Sequence, residues 1–421
     1  MGGARAPIRG ITRPLATGGR LGVNPLARPD AVVGTVLVCA VFVALAPPTS
    51  LRGADVLGLA RMEPRIFIRG ETEPGKARDV VLDLAFSPDS KTLASGGAHF
   101  GVPSDNDPGV GQVKLWNVQT GKVRAVLADE GMAGVMRVVL SPNGKMVMAG
   151  CYDGPFGEMN ASVRFWDATS GRLLRRLKWP RAVLVHVGSL AVSGDGRFLA
   201  VGSLPYGDGN EYVGLRVWDI RTDKTQPVLE AEKGGCVGSV AFSPDNSLLF
   251  AGQHDGVTRI WDTQKWSVVR EIKGGGGGHR PLAVCPCPQR HLAAITHGEW
   301  TTGVAIWDYS KGQRLRTMAG ARVNEGMAFS PDGALLAVGG QILISVPGFP
   351  TDYPPDDGVA VDLWDVAKGK LRATLPISGG TPRVSFAASG EYLACCDDSG
   401  TICVWDFRPG SRGREEPKKG E

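Results

Sequence analysis

The chain has 421 residues, of which 43% are hydrophobic and 21% are charged, so it is a folded globular protein and not an intrinsically disordered one. Its 59 glycines and 29 prolines indicate many short elements joined by turns, and they argue against a helical bundle. The formal net charge of +5 would suit nucleic acid or a membrane surface, depending on where the positive charge lies.

The excess positive charge lies in a basic N-terminal head, residues 1–30. Over the rest of the chain, basic and acidic residues nearly balance. That part also lacks a stripe of Lys and Arg interleaved with aromatic residues, so we expect no nucleic-acid partner. A single aspartate, Asp30, accompanies the arginines of the head, which are Arg5, Arg9, Arg13, Arg20 and Arg28.

An apolar segment over 31–46 follows the head and ends at Pro47-Pro48, which would stop a helix. As a helix it would span about 24 Å, slightly less than the roughly 30 Å hydrocarbon core of a bilayer. We therefore expect an N-terminal apolar helix that is either an uncleaved signal anchor with a cytoplasmic N-terminus or a signal peptide cleaved after Ala46. Both interpretations predict a membrane-anchored or exported protein. The third interpretation, a mis-assigned start codon or a buried segment, predicts a cytoplasmic one.

A repeat organises residues 64–407, after a Pro-containing linker over 47–63. A Trp-Asp pair recurs at spacings of 41 to 57 residues, and Trp116-Asn117 opens the series. The three residues before each Trp alternate in a two-residue period and include β-branched side chains, which predicts a strand that ends at the pair. The pairs are Trp166-Asp167, Trp218-Asp219, Trp261-Asp262, Trp307-Asp308, Trp364-Asp365 and Trp405-Asp406.

A second signature precedes each Trp by about 25 to 35 residues: an apolar strand that runs into a tight turn. The runs 86–89 (FSPD) and 329–333 (FSPDG) show it most clearly, with the Pro and Asp or Gly that such turns favour. Each unit is thus predicted to consist of strand a, a hairpin, strand b, a loop, strand c and, after a turn, strand d. One such sheet cannot bury both of its faces, whereas seven sheets stacked in a ring can.

These seven units resemble the WD40-repeat family of seven-bladed β-propellers. The resemblance covers most of the chain and implies an all-β fold, a single and monomeric propeller, and tryptophans that pack within and between the blades. Two departures weaken the hydrogen-bond networks that such blades often contain. The Gly-His pair before strand a is clear only at Gly278-His279, and Asn117 replaces the first Asp.

The seventh unit lacks a sequence for strand d, because the residues after Asp406, including the charged tail over 408–421, show no strand pattern. An apolar strand without a partner, Ile66-Phe67-Ile68, precedes the first unit. We expect this segment to complete the seventh blade and close the ring, as is common in the family that the chain resembles.

Catalytic and metal-binding patterns are weak, so we predict no enzyme activity, no catalytic residues, no cofactor and no metal. The sequence has no HExxH, GxSxG or Walker A motif. Cys285 and Cys287 share one strand and Cys395 and Cys396 another, but they lack the paired clusters of a zinc site, so we expect buried structural cysteines. Unpaired thiols are nevertheless unusual in an exported protein. The run 105–107 (DND) lacks the Gly and the distal Glu of an EF-hand.

The most informative segments are the loops between strands b and c, which the resemblance places together on one rim, the top face. They contain 13 acidic residues, several aromatic residues, and no Lys or Arg. Insertions on one face of a repeat fold usually mark a binding face, although solvated acids in tight turns are the alternative. The predicted loops are 97–112, 151–162, 203–213, 252–257, 297–303, 339–360 and 397–400.

Acidic residues around exposed aromatic rings suit a basic or Arg-containing partner. The sequence therefore predicts a non-catalytic scaffold that binds a protein or peptide on its top face. An extracytoplasmic propeller enzyme, or a sensor of a small ligand or metal that uses the central channel, is the second hypothesis. The residues that we select for partner binding are Asp105, Asp107, Glu211, Trp300, Asp356 and Asp357.

Overall fold

The computed structural model describes the repeat region and a two-residue strand upstream of it. The chain divides into two units, 1–34 and 35–421, and every described residue belongs to the second. This described part includes no helix long and apolar enough to cross a membrane. Its residues are 38–39, 64–68, 78–100, 109–154, 160–178, 185–205, 214–225, 236–253, 255–273, 283–296, 303–318, 323–341, 359–377, 383–397 and 399–408.

Seven antiparallel sheets form the blades of a propeller, which confirms the predicted all-β fold. The innermost strand of each blade contacts that of the next, and the seventh contacts the first, so the ring is closed. Blade 1 consists of β3 (Arg78–Phe86), β4 (Thr92–Phe100), β5 (Val110–Asn117) and β6 (Val123–Leu127). Blade 2 consists of β7 (Met132–Leu140), β8 (Met146–Asp153), β9 (Asn160–Asp167) and β10 (Leu173–Lys178). Blade 3 consists of β11 (Val185–Val192), β12 (Phe198–Pro205), β13 (Leu215–Asp219) and β14 (Lys224–Thr225).

The other four blades repeat this order from the centre outward, except that the outermost strand of blade 7 comes from the start of the repeat region. They consist of β15 (Val237–Phe242), β16 (Leu248–Gln253), β17 (Val257–Asp262), β18 (Ser267–Lys273); β19 (Val284–Pro286), β20 (Leu292–Thr296), β21 (Val304–Asp308), β22 (Gln313–Met318); β23 (Val323–Phe329), β24 (Leu335–Gln341), β25 (Val359–Asp365), β26 (Lys370–Pro376); and β27 (Arg383–Phe386), β28 (Tyr392–Cys396), β29 (Ile402–Asp406) with β2 (Arg65–Ile68).

The predicted closure of the ring by the 66–68 strand is confirmed. β2 pairs antiparallel with β29, with Arg65 opposite Val404 and Ile66 opposite Cys403. Blade 7 is therefore built from both ends of the repeat region, which joins these ends without a covalent link.

Only two residues of the expected apolar helix over 31–46 are described. Val38–Cys39 form a short strand, β1, which pairs in parallel with β23 and sets Val38 opposite Gly326. The basic head, the rest of this segment, the whole linker and the charged tail after residue 408 lie outside the described residues, and their boundaries stay predictions.

The hydrophobic core lies between the blades. Each of the seven interfaces has its own cluster of buried apolar side chains, and each repeat Trp packs against the blade that precedes it. Trp166 and Trp405 are 1% and 0% exposed, and Trp307 is only half-buried. Because every blade buries both faces, even polar residues of the strands can be enclosed.

In the blades whose strand d follows strand c along the chain, the aspartate of the Trp-Asp pair shapes the turn between these strands. Asp167 Oδ1 accepts hydrogen bonds from the backbone N–H groups of Thr169 and Ser170, at 3.1 and 2.7 Å. Asp262 does the same with Gln264 and Lys265. These backbone hydrogen bonds lower the pKa of Asp262 below its ordinary value. The recurring Asp is therefore explained by turn formation.

Polar side chains at β-bulges of the innermost strands connect neighbouring blades. Asp83, 2% exposed, accepts a hydrogen bond from the N–H of Val138 in blade 2 at 2.9 Å. Arg137 Nε of blade 2 donates to the carbonyl oxygen of Gly188 in blade 3 at 2.8 Å. Ser189 Oγ of blade 3 accepts a hydrogen bond from the N–H of Val240 in blade 4 at 2.9 Å. These buried contacts fix the register of the first four blades around the channel.

Candidate functional site

The hairpin order of the strands puts the turns of each blade at two opposite ends. The a–b and c–d turns lie at one end, which we call the bottom face. The b–c connections lie at the other end, the top face. All seven b–c connections therefore share one face, as the resemblance implies.

The top ends of blades 1 and 2 rise above those of blades 4 and 5. Counted from the a–b turn, β3 and β7 have 9 residues each, whereas β15 has 6 and β19 has 3. At about 3.3 Å per residue, three further residues raise a strand by about 10 Å. We name this projection the raised wall. It comprises residues 78–81, 97–100 and 110–114 of blade 1 and residues 132–135, 151–153 and 160–164 of blade 2.

The predicted bounds of the b–c loops are wrong at blades 1, 2, 3, 4 and 6, because strand pairing continues into them. The ladders reach His99 opposite Val110 in blade 1 and Asp153 opposite Asn160 in blade 2. In blade 6, residues 339–341 pair with residues 359–361. Glycines at these positions suggest loops in the sequence, but in the structure they allow close backbone approach. A Cβ on Gly97 would lie 1.7 Å from the carbonyl oxygen of Val80.

The two blades of the raised wall touch through glycines. A Cβ on Gly111 would lie 2.7 Å from the backbone nitrogen of Gly134, and a Cβ on Gly134 would lie 2.2 Å from the ring of Tyr152. The Tyr152 ring therefore covers the backbone of blade 2, and burial raises the pKa of its hydroxyl. Val110, at the upper end of β5, leaves 54% of its surface exposed.

A polar cluster on blade 1 is centred on Asp79. Its Oδ1 accepts hydrogen bonds from His99 Nδ1 and Gln112 Nε2, both at 2.9 Å, and its Oδ2 accepts one from Lys114 Nζ at 2.5 Å. Partial burial would raise the pKa of Asp79, but the hydrogen bonds from Lys114 and His99 outweigh burial and lower it. This acid is thus held ionised and neutralised by its own blade.

A second cluster joins blades 1 and 2 around Arg164, which is 2% exposed. Its Nε donates to Asp129 Oδ2 and its Nη1 to Asp153 Oδ1, both at 2.6 Å. Arg176 also donates to Asp129. Burial would raise the pKa of Asp129, but the hydrogen bonds from Arg164 and Arg176 lower it instead. The arrangement positions the d–a connection of blade 1 against the raised wall.

Replacing Arg164 by Met is expected to destabilise the protein by about 2 kcal/mol at pH 7, because Asp129 and Asp153 lose their buried cation while Arg176 remains on Asp129. The folded-state pKa of Asp129 is lowered, so this stabilisation is present above about pH 5 and is lost as the pH falls through that pKa. Urea unfolding at pH 7 and pH 3 measures the difference.

The matched control is Arg172→Met, which removes an exposed arginine from the c–d turn of the same blade and should change stability by less than about 0.5 kcal/mol. An Arg164→Met penalty of equal size at both pH values would contradict the electrostatic account.

All six residues selected for partner binding lie outside the described residues, so they stay predictions. Asp105 and Asp107 fall in 101–108, the segment that joins β4 to β5 at the raised wall. Three other acids of the predicted top face are described, and each has a local partner. Asp153 binds Arg164, Asp255 binds Arg259, and Asp397 is 2% exposed and caps its own turn.

The cations that neutralise acids at the top face were not predicted, because they are in strands and not in loops. Lys114, Arg164 and Arg259 each stand two residues before the repeat Trp, and each pairs with an acid at the top face. The signal in the sequence was the basic residue in the middle of the alternating pattern before these three tryptophans.

The described residues contain no group of three or more His, Cys, Asp or Glu side chains that could hold a metal ion. Seven cysteines of the blades are described with their side chains, and all seven are buried.

Comparison with known proteins points to one repeat family. A sequence model described as "WD domain, G-beta repeat" matches residues 71–101, 224–262 and 373–406, which fall in blades 1, 3 to 4 and 6 to 7. Guanine nucleotide-binding protein subunit beta of Oryza sativa subsp. japonica is 27% identical over 212 residues, which cover 48% of this chain and 52% of that protein.

Two further relatives match the chain over a shorter length or at a lower identity. Target of rapamycin complex subunit LST8-1 of Arabidopsis thaliana is 29% identical over 113 residues, 27% of this chain and 33% of that protein. Autophagy-related protein 16 of Arabidopsis thaliana is 22% identical over 184 residues, 43% of this chain and 32% of that protein. The chain spans about half the length, or less, of these curated relatives.

Proposed function

Because the chain belongs to the WD40-repeat family of seven-bladed β-propellers, we propose that it is a non-catalytic, monomeric scaffold whose top face binds a protein or peptide partner. Two relatives are named as subunits of larger complexes, which supports a role in protein assembly.

The raised wall is the observation that carries this proposal. Blades 4 and 5 complete their part of the ring with shorter inner strands, so ring closure by itself does not require the further residues of β3, β4, β7 and β8. They form a step beside the channel and present Val110, an exposed apolar side chain, above the lower blades. A step with an apolar edge and polar sides is a suitable docking surface for an extended peptide.

The loops supply the charge that we propose for recognition. Acids of the strands are neutralised by Lys114, Arg164 and Arg259, whereas Asp356 and Asp357 lie together in a segment without Lys or Arg, 342–358. Asp105 and Asp107 are in the segment that connects β4 to β5 at the raised wall. This composition favours a basic partner through charge complementarity.

We also propose that the basic head and the apolar segment 31–46 direct the chain to a membrane, so that the propeller is anchored there or exported. The support is the sequence order, arginines before an apolar run that contains no charge.

A pull-down with the full-length tagged chain tests both proposals. Changing Asp356 and Asp357 together to Asn should reduce partner recovery at least about tenfold, because two loop charges are removed from the recognition surface. The chain should be recovered from the membrane or exported fraction, and recovery wholly from the cytosolic fraction would contradict the targeting proposal.

The matched control is Asp223→Asn, which removes one acid on the bottom face. Asp223 is exposed and has a φ of 58°, a conformation that Asn tolerates well, so this variant should fold and retain the partner. Equal recovery from the double variant and the wild type would contradict the acidic top face. Loss of the partner in Asp223→Asn would place recognition on the bottom face.

A further inference from the structure

Blade 7 holds two cysteines directly opposite each other. Cys395 of β28 pairs with Cys403 of β29 in an antiparallel ladder, so both side chains point to the same side of the sheet. They are 2% and 6% exposed and belong to the same apolar cluster between blades 6 and 7. The adjacent Cys396 points to the other side, into the cluster between blades 7 and 1.

The ladder geometry is compatible with a disulfide bond. Residues directly opposed in an antiparallel pair have Cα atoms about 4.5 to 5.5 Å apart, within the roughly 4.4 to 6.8 Å that a disulfide spans. Elsewhere in the described ladders, cysteines face other residue types: Cys151 lies opposite Ser162 and Cys285 opposite Ala294. Among the described residues, only the pair in blade 7 sets two cysteines in direct register.

We propose that Cys395 and Cys403 form an intrachain disulfide when the chain folds in an oxidising compartment, and remain a thiol pair when it folds in a reducing one. The oxidant is a disulfide, small or protein-borne. The thiolate of Cys403 attacks one of its sulfurs and releases one thiol. The thiolate of Cys395 then attacks the mixed disulfide and releases the second thiol. The two cysteines lose two electrons and two protons, and the oxidant becomes two thiols.

Burial determines when this exchange takes place. Removal from water raises the pKa of the Cys395 thiol well above its ordinary value, and a protonated, enclosed thiol is a poor nucleophile. The folded blade therefore protects whichever state it encloses. The redox state of the pair records the compartment in which blade 7 folded, which is the property that the N-terminal sequence leaves open.

The bond also acts at the closure of the ring. Cys403 pairs on its other side with Ile66 of β2, so a disulfide would tie β28 to the strand that holds the closing strand. Cross-linking restricts the unfolded chain. We expect reduction of the oxidised protein to lower the melting temperature by about 3 °C.

The test uses the full-length chain produced in a bacterial periplasm and, separately, in a bacterial cytosol. Free thiols are alkylated in denaturant and the protein is cleaved before aspartate, which separates Cys396 from Cys403 at Asp397. Mass spectrometry should find the two peptides cross-linked in the periplasmic product and fully alkylated in the cytosolic one.

Three variants identify the cysteines involved. The cross-link should persist in Cys396→Ser and disappear in Cys395→Ser and in Cys403→Ser. Complete alkylation of the periplasmic wild type would overturn the proposal, as would a cross-link that is lost in Cys396→Ser. The wild-type comparison requires no variant to fold, so the proposal stays testable if a substitution prevents folding.

Discussion

Deletion of residues 64–70 is expected to lower the melting temperature by about 10 °C. The segment contains β2, whose ladder with β29 includes Arg65 opposite Val404 and Ile68 opposite Ile402. Loss of three to four backbone hydrogen bonds at about 1 kcal/mol each, with some apolar burial, amounts to about 5 kcal/mol. For a domain of this size, each kcal/mol corresponds to about 2 °C.

The position of β2 makes this effect larger than trimming an ordinary edge strand. The strand order of blade 7 is β2-β29-β28-β27, so the deletion removes the only element through which the start of the repeat region enters this described sheet. β29 would be left with an open row of N–H and C=O groups, which favours aggregation as well as unfolding.

Two controls separate closure from chain shortening. Deleting seven residues of the linker, 54–60, should change the melting temperature by about 1 °C or less, because they precede the strand. Ile66→Pro should have an intermediate effect, since proline removes one donor from the ladder and leaves the rest of β2. An unchanged melting temperature after the 64–70 deletion would refute the closure of the ring by β2.

The sequence predicted the blades well because their signals are periodic and local. The Trp at the end of strand c and the turn between strands a and b recur in nearly every unit, and the same side chains do the same work in each. Ser87 and Ser330 both accept the N–H of the residue five positions on, at 2.9 Å. Because the same local hydrogen bond forms in each of these turns, the same residue type recurs in the sequence.

The height of the raised wall could not be predicted, because glycine is common both in turns and in strands that another backbone approaches closely. In isolation it signals a turn, and residues such as Gly97 and Gly111 led to loop bounds that were too wide. In the structure the same residues lie in strands where a side chain would collide with a neighbouring backbone. Whether a glycine lies in a turn or in a strand depends here on contacts between strands and between blades, which no local sequence pattern encodes.

The burial of the Arg164 charge could not be predicted for a related reason. The alternation before each Trp is typical of a strand with one solvated face, so Arg164 would be expected to be exposed. Stacking of blades covers both faces and encloses this arginine at 2% exposure, where it requires Asp129 and Asp153 as partners. The electrostatics of the top face therefore depend on inter-blade packing as much as on loop composition.

Trp405→Ala is expected to destabilise the protein by about 3–5 kcal/mol. The indole is 0% exposed and packs in the cluster between blades 6 and 7, next to Leu393 and Phe386. Removing it leaves a cavity that the surrounding strands cannot fill without moving the blades relative to each other. Chemical denaturation at pH 7 measures the loss, and Tyr392→Phe, which keeps the ring and its packing, serves as the control.

Comparison of two Trp→Phe variants tests whether the polar atom of the indole contributes. In blade 1, Trp116 Nε1 donates to Ser95 Oγ at 2.9 Å, whereas Trp405 Nε1 is buried without a hydrogen-bond partner among the described residues. Trp116→Phe removes a donor that has a partner and leaves the buried Ser95 hydroxyl without that hydrogen bond. Trp405→Phe removes a donor that is buried without a partner, so its burial already costs free energy. Trp116→Phe should therefore be the more destabilising by about 1 kcal/mol. Equal losses would mean that ring size alone governs these positions, and that the hydrogen bond kept in blade 1 has no net effect on stability.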